Sequence, residues 1–146
     1  MLRIGIDLGG TKIEGVVVRL ADSPGASDEQ PQVLVRRRVS TERERGYDHI
    51  VNTVATLIKD LAQLAEIDAA QLSKLGIGVG MPGSVNRAGV IKNSNTTVLN
   101  GRPFREDLIR RVGHRIGGKR DRVAIVKARD RIAIARRGND IAAQGV

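Results

Sequence analysis

Alternation of apolar and polar residues near the amino terminus predicts three β-strands. Residues 3–8 (Arg-Ile-Gly-Ile-Asp-Leu) and residues 13–20, which are rich in β-branched side chains, flank a Gly-Gly turn and predict a hairpin. Serine, proline and acidic residues over 21–31 indicate a loop. Alternating valines between 33 and 39 indicate the third strand, and we expect arginines 36–38 to lie on its solvent-exposed edge rather than in a binding patch.

Helical periodicity and a glycine-rich run define the elements that follow. Apolar residues recur at three- and four-residue steps over 47–66, which predicts a helix with one apolar face. The stretch 75–80 (Leu-Gly-Ile-Gly-Val-Gly) predicts a buried strand that ends at Met-Pro-Gly. A short strand at 90–91 and a second helix over 102–112 complete a mixed α/β layer structure. Weak alternation indicates a further strand near 123–126.

Composition excludes several classes of protein. The hydrophobic fraction of 40% and charged fraction of 28% are those of a globular chain, and no apolar run is long enough to cross a bilayer. Cysteine is absent, which excludes disulfides, thiolate metal sites and cysteine nucleophiles, and we expect a cytoplasmic protein without membrane partners. Tyr47 and Phe104 are the only aromatic residues, so the core must consist of Val, Ile, Leu and Ala.

The net charge of +9 is concentrated near the carboxyl terminus. Residues 1–112 carry 16 Lys and Arg against 13 Asp and Glu, whereas residues 113–146 carry 9 against 3. A basic tail is typical of proteins that bind nucleic acid. This tail also contains a direct repeat and is biased toward Arg, Ala, Gly and Ile, so we divide the chain into a domain over 1–112 and an atypical basic tail over 113–146.

The hexapeptide Asp-Leu-Gly-Gly-Thr-Lys, which begins at Asp7, is the strongest chemical motif. Gly9 and Gly10 let backbone N–H groups approach an anion closely. Thr11 can donate a hydrogen bond to phosphate, Lys12 supplies a point charge, and Asp7 can hold a magnesium ion through water. The alternative interpretation is a simple hairpin turn. Neither the P-loop pattern nor the dinucleotide-binding fingerprint occurs in the chain.

An asparagine-rich stretch that follows Gly83 is the second candidate site. It places four asparagines within 15 residues, and amides and hydroxyls recognise sugar hydroxyls because they both donate and accept hydrogen bonds. The alternative is a polar loop whose Asn and Ser side chains bond to their own backbone. His49 and His114 are single histidines on predicted helices, and we expect them at the surface or boundary rather than as bases or ligands.

The motifs together resemble those of the ROK family, which groups bacterial sugar kinases and repressors. Residues 4–12 resemble its opening phosphate motif, and residues 76–104, with Met-Pro-Gly-Ser-Val and Lys-Asn-Ser-Asn-Thr, resemble its fructokinase/mannokinase branch. We expect the similarity to cover about residues 1–112. It implies the ribonuclease-H-like N-terminal lobe of an actin/hexokinase/Hsp70-like fold, with a mixed sheet. It also implies ATP-dependent phosphorylation of a hexose, with fructose as the first expectation and glucose or mannose as others.

The resemblance also implies which residues form the site. The phosphates and magnesium ion of ATP would be met by Asp7, Gly9, Gly10, Thr11 and Lys12. The sugar would be lined by Gly83, Asn93, Ser94 and Asn95. The family's catalytic aspartate belongs to an Asn-Asp-Ala-Asn motif that this chain lacks, and the two candidates for its place are Asp121, by distance, and Asp140, beside Asn139. Members of the family commonly dimerise.

Three functions remain open at this point. The first is the N-terminal lobe of a fructokinase-like enzyme, inactive by itself. The second is a non-catalytic sugar- or phosphate-binding regulatory module with a basic tail, and the third is a lobe that pairs with a separately encoded partner. ROK repressors carry a DNA-binding domain before the phosphate motif, which here begins at residue 4, so we do not expect nucleic-acid binding. We interpret the tail as out-of-frame translation.

Overall fold

A five-stranded mixed sheet forms the centre of this protein, as seen in a computed structural model that describes residues 1–21, 31–113 and 123–127. The strands in chain order are β1 (Leu2–Leu8), β2 (Lys12–Arg19), β3 (Gln32–Ser40), β4 (Gly76–Met81), β5 (Ser84–Val85), β6 (Ile91–Lys92) and β7 (Val123–Lys127). The sheet has the order β3-β2-β1-β4-β7, while β5 and β6 form a separate ribbon. The predicted hairpin, third strand and glycine-rich strand are confirmed.

Strand direction decides where the ends of the strands meet. β1 pairs antiparallel with β2, and β2 pairs antiparallel with β3. β4 pairs parallel with β1 on one side and with β7 on the other. The carboxyl ends of β1, β4 and β7 therefore lie at the same end of the sheet. The turn into β2 and the Met-Pro-Gly segment begin at this end.

Three helices accompany the sheet in the described part of the chain: α1 (Tyr47–Leu64), α2 (Ala69–Leu72) and α3 (Phe104–Val112). Helix α1 packs on β1, β2 and β3, and α3 packs on α1 and β7. Gly15 marks a close approach of α1 to the sheet, because a Cβ placed there would lie 2.5 Å from Leu61 Cδ1 and 3.2 Å from Leu57 Cδ2. A hydrogen atom at this position leaves the room that the helix needs.

Aliphatic side chains make up most of the core, as composition predicted, and Met81, Tyr47 and Phe104 are buried with them. Strand β1 contributes Ile4, Ile6 and Leu8, all at most 2% exposed, and the apolar face of α1 covers them. The two aromatic residues join the helices, since the rings of Tyr47 and Phe104 meet edge to face with 6.4 Å between centroids. The Tyr47 hydroxyl donates to Asp107 Oδ2 at 2.7 Å. Burial, followed by this hydrogen bond, raises the pKa of Tyr47 above its ordinary value.

Some boundaries differ from the expectation for physical reasons. Helix α1 ends at Leu64 rather than 66, because Glu66 takes a left-handed conformation (φ 55°). Helix α3 begins at Phe104 rather than 102, directly after Pro103. The short helix α2 was not predicted, although Asp68 and Gln71 form a capping box at its start. The strand near 123–126 is confirmed as β7.

Arginines 36–38 lie on the exposed edge strand β3, as expected. Glu14 of the neighbouring strand accepts hydrogen bonds from Arg36 Nη1 at 3.2 Å and from Arg38 Nε at 2.9 Å. The hydrogen bond from Arg38 holds the pKa of Glu14 below its ordinary value, against the opposing effect of burial. Arg36 and Arg38 thus neutralise the Glu14 carboxylate within the sheet.

The Glu14 contacts make stability depend on acid pH. Because its pKa is lower folded than unfolded, ionised Glu14 stabilises the fold above about pH 4.3 and loses this effect as the pH falls through the folded value. We expect Glu14→Gln to cost about 0.2–1 kcal/mol at pH 7 and to flatten the fall in unfolding free energy below pH 4.5. Urea denaturation over a pH series measures this. Glu44→Gln, at an exposed position, is the control, and equal slopes for Glu14→Gln and wild type would contradict the prediction.

Candidate functional site

The turn from β1 to β2 closes tightly on itself. The Gly9 N–H donates to the Lys12 carbonyl oxygen at 3.0 Å, and a Cβ on Gly9 would lie 2.8 Å from the same oxygen. Any side chain at this position would displace that carbonyl. The N–H of Gly9 is therefore directed into the turn, whereas we expected it to face an anion, and the contribution of Gly9 is the sharpness of the bend.

Thr41 fastens this turn to the segment after β3. Its side chain is fully buried, its hydroxyl donates to the Gly9 carbonyl oxygen at 2.8 Å, and its N–H donates to the Thr11 carbonyl oxygen at 3.0 Å. These bonds use carbonyl oxygens of the turn and none of them uses the N–H of Gly10 or Thr11. The side chains of Thr11 and Lys12 are exposed. Thr41 thus anchors the turn through its backbone carbonyl oxygens, while the Thr11 hydroxyl and the Lys12 ammonium group lie at the surface.

Asp7 stands near the carboxyl end of β1, beside this turn. Its register partners are Glu14 on β2 and Gly80 on β4, and Gly80 places no side chain next to the half-buried Asp7. Within the described ranges no group of three or more His, Asp or Glu side chains could enclose a metal ion. A single carboxylate of this kind fits magnesium that is bound mainly by phosphate oxygens and water.

The Met-Pro-Gly segment touches the asparagine-rich segment. Gly83 has a φ of 105°, and a Cβ placed there would lie 2.7 Å from the Lys92 carbonyl oxygen and 3.0 Å from the Ser94 nitrogen. Both the backbone conformation and the close approach require glycine. The structure therefore brings together the two stretches that were predicted to line a sugar.

Buried polar groups shape the asparagine-rich segment. Ser94 is 5% exposed, and its hydroxyl accepts from the Thr96 N–H at 3.2 Å. The Asn100 amide bonds both the N–H and the carbonyl oxygen of Ser94, at 2.9 and 3.1 Å. Ser94 thus supports the loop, as the self-bonded alternative predicted. Asn93 and Asn95 are exposed, so they are the members of the predicted sugar set that reach the surface.

The turn and the asparagine-rich segment meet at Gly10. A Cβ placed on Gly10 would lie 3.5 Å from Arg43 Nη1 and 3.8 Å from Thr96 Oγ1. Arg43 begins a 3₁₀ turn just after Thr41, and Thr96 directly follows Asn95. No local signal in the sequence pointed to either residue. Their proximity depends on the packing of segments far apart along the chain.

The remaining candidates lie elsewhere. Asp121, Asp140 and His114 fall outside the described residues. His49 is at the boundary, as expected, with its Nε2 atom 3.0 Å from Glu42 Oε2. It also lines an open cavity of about 280 Å³ between β3 and α1, which does not include the turn residues. No helix of the described ranges has the length and apolarity needed to cross a membrane.

Comparisons with known proteins agree with these features. The model of the ROK family matches residues 3–131, which continues past residue 112 and takes in β7. N-acetyl-D-glucosamine kinase from Pasteurella multocida is 28% identical over 121 residues, 82% of this chain and 34% of that protein.

Solved structures show the same architecture. A ROK hexokinase from Thermus thermophilus superimposes with a TM-score of 0.62 and 25% identity, over 87% of this chain and 35% of that one. An inorganic polyphosphate/ATP-glucomannokinase from Arthrobacter sp. strain KM gives a TM-score of 0.61 and 25% identity, over 86% of this chain and 44% of that one. The expected actin/hexokinase-like fold is confirmed, and the chain spans about a third to under a half of the length of these relatives.

Proposed function

The chain belongs to the ROK family, and from that premise we propose that it is the phosphate- and sugar-binding lobe of an ATP-dependent hexose kinase. The observation that carries this proposal is the junction at Gly10, where the turn predicted to bind phosphate lies beside the segment predicted to bind sugar. A kinase requires this proximity because both substrates must meet for direct transfer. The relatives named above, an N-acetylglucosamine kinase, a hexokinase and a glucomannokinase, support it.

The transfer exchanges one phosphorus–oxygen bond for another. A sugar hydroxyl oxygen bonds to the γ-phosphorus of ATP, the bond to the bridging oxygen breaks, ADP departs with the electron pair, and a carboxylate takes the hydroxyl proton. Asp121 and Asp140 stay the candidates for that carboxylate. A magnesium ion held by Asp7 would neutralise phosphate charge.

The described side chains serve mainly to bind and orient. Lys12 places a positive charge beside the phosphates, and Thr11 donates a hydrogen bond to a phosphate oxygen. The exposed amides of Asn93 and Asn95 accept from and donate to sugar hydroxyls. Glycine at position 83 lets the Met-Pro-Gly segment approach the backbone that carries those amides.

The substrate and the setting complete the proposal. We propose fructose as the sugar, with glucose, mannose and N-acetylglucosamine as the alternatives that the relatives raise. Because the chain spans about a third to under a half of the length of its kinase relatives, we expect these 146 residues to bind ligands without turning them over. We propose that the chain binds a hexose and ATP rather than nucleic acid or membrane. We propose the cytoplasm as its location.

Removal of the Lys12 charge tests the phosphate site. We expect Lys12→Met to weaken ATP binding about tenfold, because one charge-assisted hydrogen bond to phosphate is lost. Calorimetric titration of the full chain with magnesium-ATP measures the affinity. Lys59→Met, at an exposed position of α1, is the matched control and should bind as wild type does. Equal affinities for Lys12→Met and Lys59→Met would contradict the proposal, as would an absence of ATP binding by the wild-type chain.

A further inference from the structure

We propose that Arg43 and Thr96 bind the phosphoryl group that passes from ATP to the sugar, a role that rests on the proposed function. Both residues border the space left by the missing side chain of Gly10, with Arg43 Nη1 3.5 Å and Thr96 Oγ1 3.8 Å from the position of a Cβ there. One is a cation and the other a hydroxyl donor. Together they offer a positive charge and hydrogen-bond donors, which are the groups that bind phosphate.

Thr96 supplies an observation independent of the turn. Its side chain is 1% exposed, and its hydroxyl has no hydrogen-bond partner among the described residues. Buried hydroxyls in native proteins nearly always have a partner, so an unpaired one marks a place where a water molecule or a ligand group can bind. A phosphate oxygen is a strong acceptor for this O–H, and glycine at position 10 omits the Cβ that would otherwise lie 3.8 Å from Thr96 Oγ1.

Arg43 is available to an anion. The neighbouring carboxylate of Glu42 is taken by Arg45 Nη1 at 3.0 Å and by His49 Nε2 at 3.0 Å. No ion pair found among the described residues involves Arg43. The backbone that leads to Arg43 is anchored two residues earlier, where the Thr41 hydroxyl donates to the Gly9 carbonyl oxygen. A guanidinium in this place offers a planar pair of donors to a phosphate group.

Position identifies which phosphate these residues meet. Thr96 follows the candidate sugar residue Asn95, and Gly10 belongs to the candidate nucleotide turn. A phosphate between the two is the γ-phosphate of ATP before transfer and the sugar phosphate after it. ADP does not carry this group. The inference therefore predicts that both side chains contribute to binding of ATP and of the phosphorylated sugar, and that neither contributes to binding of ADP.

Calorimetric titrations of the full chain with ATP, ADP and glucose 6-phosphate test the inference. We expect Arg43→Gln to weaken ATP binding about tenfold while ADP binding changes less than about twofold. Arg45→Gln, in the same 3₁₀ turn but paired with Glu42, is the matched control and should bind all three as wild type does. Weaker binding of both ATP and glucose 6-phosphate supports the inference, and weaker binding of ATP alone would overturn the assignment of the pair to the transferred group.

Thr96→Val separates binding from structure. The variant keeps the shape of the side chain and removes an unpaired buried hydroxyl, so we expect the melting temperature to stay the same or rise while ATP affinity falls about threefold or more. A lower melting temperature with equal losses for ATP and ADP would assign Thr96 to structure and overturn the inference. If wild type binds ATP and Lys12→Met binds it more weakly, unchanged affinities in Arg43→Gln and Thr96→Val overturn this inference alone and leave the proposed function standing.

Discussion

Truncation of Phe104 to alanine is expected to lower the free energy of unfolding by about 3–5 kcal/mol. The ring is fully buried at the start of α3 and meets the Tyr47 ring of α1 edge to face. Arg102 also lies over the Tyr47 ring, 4.2 Å from its centroid, so loss of Phe104 leaves a void within the contact that joins the two helices. The total free energy of unfolding of a chain of this size is only about 5–15 kcal/mol, so the loss is a large part of its stability.

Urea denaturation of the full chain measures the effect of the Phe104 change. Phe104→Leu, which fills most of the same volume, should cost less than about 2 kcal/mol. Val98→Ala removes apolar volume from an exposed position and should change stability by less than about 0.5 kcal/mol. A Phe104→Ala protein as stable as Val98→Ala would show that the aromatic contact does not hold α3 against α1.

Alanine at Gly83 is expected to cost about 2–4 kcal/mol of unfolding free energy and to weaken hexose binding at least tenfold. The new Cβ would lie 2.7 Å from the Lys92 carbonyl oxygen, at a φ of 105° that side chains disfavour. Backbone atoms cannot move aside as a flexible side chain can. The segment that carries Asn93 and Asn95 must therefore shift, and the predicted sugar contacts shift with it.

A matched control separates the two causes at Gly83. Gly101 also has a positive φ, of 77°, but a Cβ placed there meets nothing within 4 Å. Gly101→Ala should therefore show the conformational cost alone, about 1–2 kcal/mol, with hexose affinity unchanged. Denaturation and calorimetric titration with fructose, glucose and mannose report both quantities. Equal effects of the two alanine substitutions would show that the close approach of residues 83 and 92–94 has no part in the site.

The sheet and its core were predictable because the signal is local. Alternation along β1 places Ile4, Ile6 and Leu8 on one face, and the periodicity of α1 supplies the surface that covers them. Each pattern repeats within one element and can therefore be recognised from the sequence alone. The extent of similarity to the family was harder to predict. The charge and composition change after residue 112, yet the family match continues through β7.

The turn at residues 9–12 was predictable for the same reason, since its groups are contiguous. Thr41, Arg43 and Thr96 were not, because each reaches Gly9 or Gly10 only through strand pairing and packing. Even within the turn, the sequence did not reveal that the Gly9 N–H bonds to Lys12. Composition indicates which groups are present, while tertiary packing decides which of them remain available to a ligand.

The parallel pairing of β1 with β4 and of β4 with β7 has a consequence for folding. It sets Ile4 beside Ile77 and Ile77 beside Val123, so long loops must close before these contacts form, and refolding is slow compared with that of helical proteins. A ligand that needs the finished sheet edge binds the native state alone and adds stability in proportion to the logarithm of its concentration. The cell's own supply of nucleotide and sugar would then help to keep the chain folded.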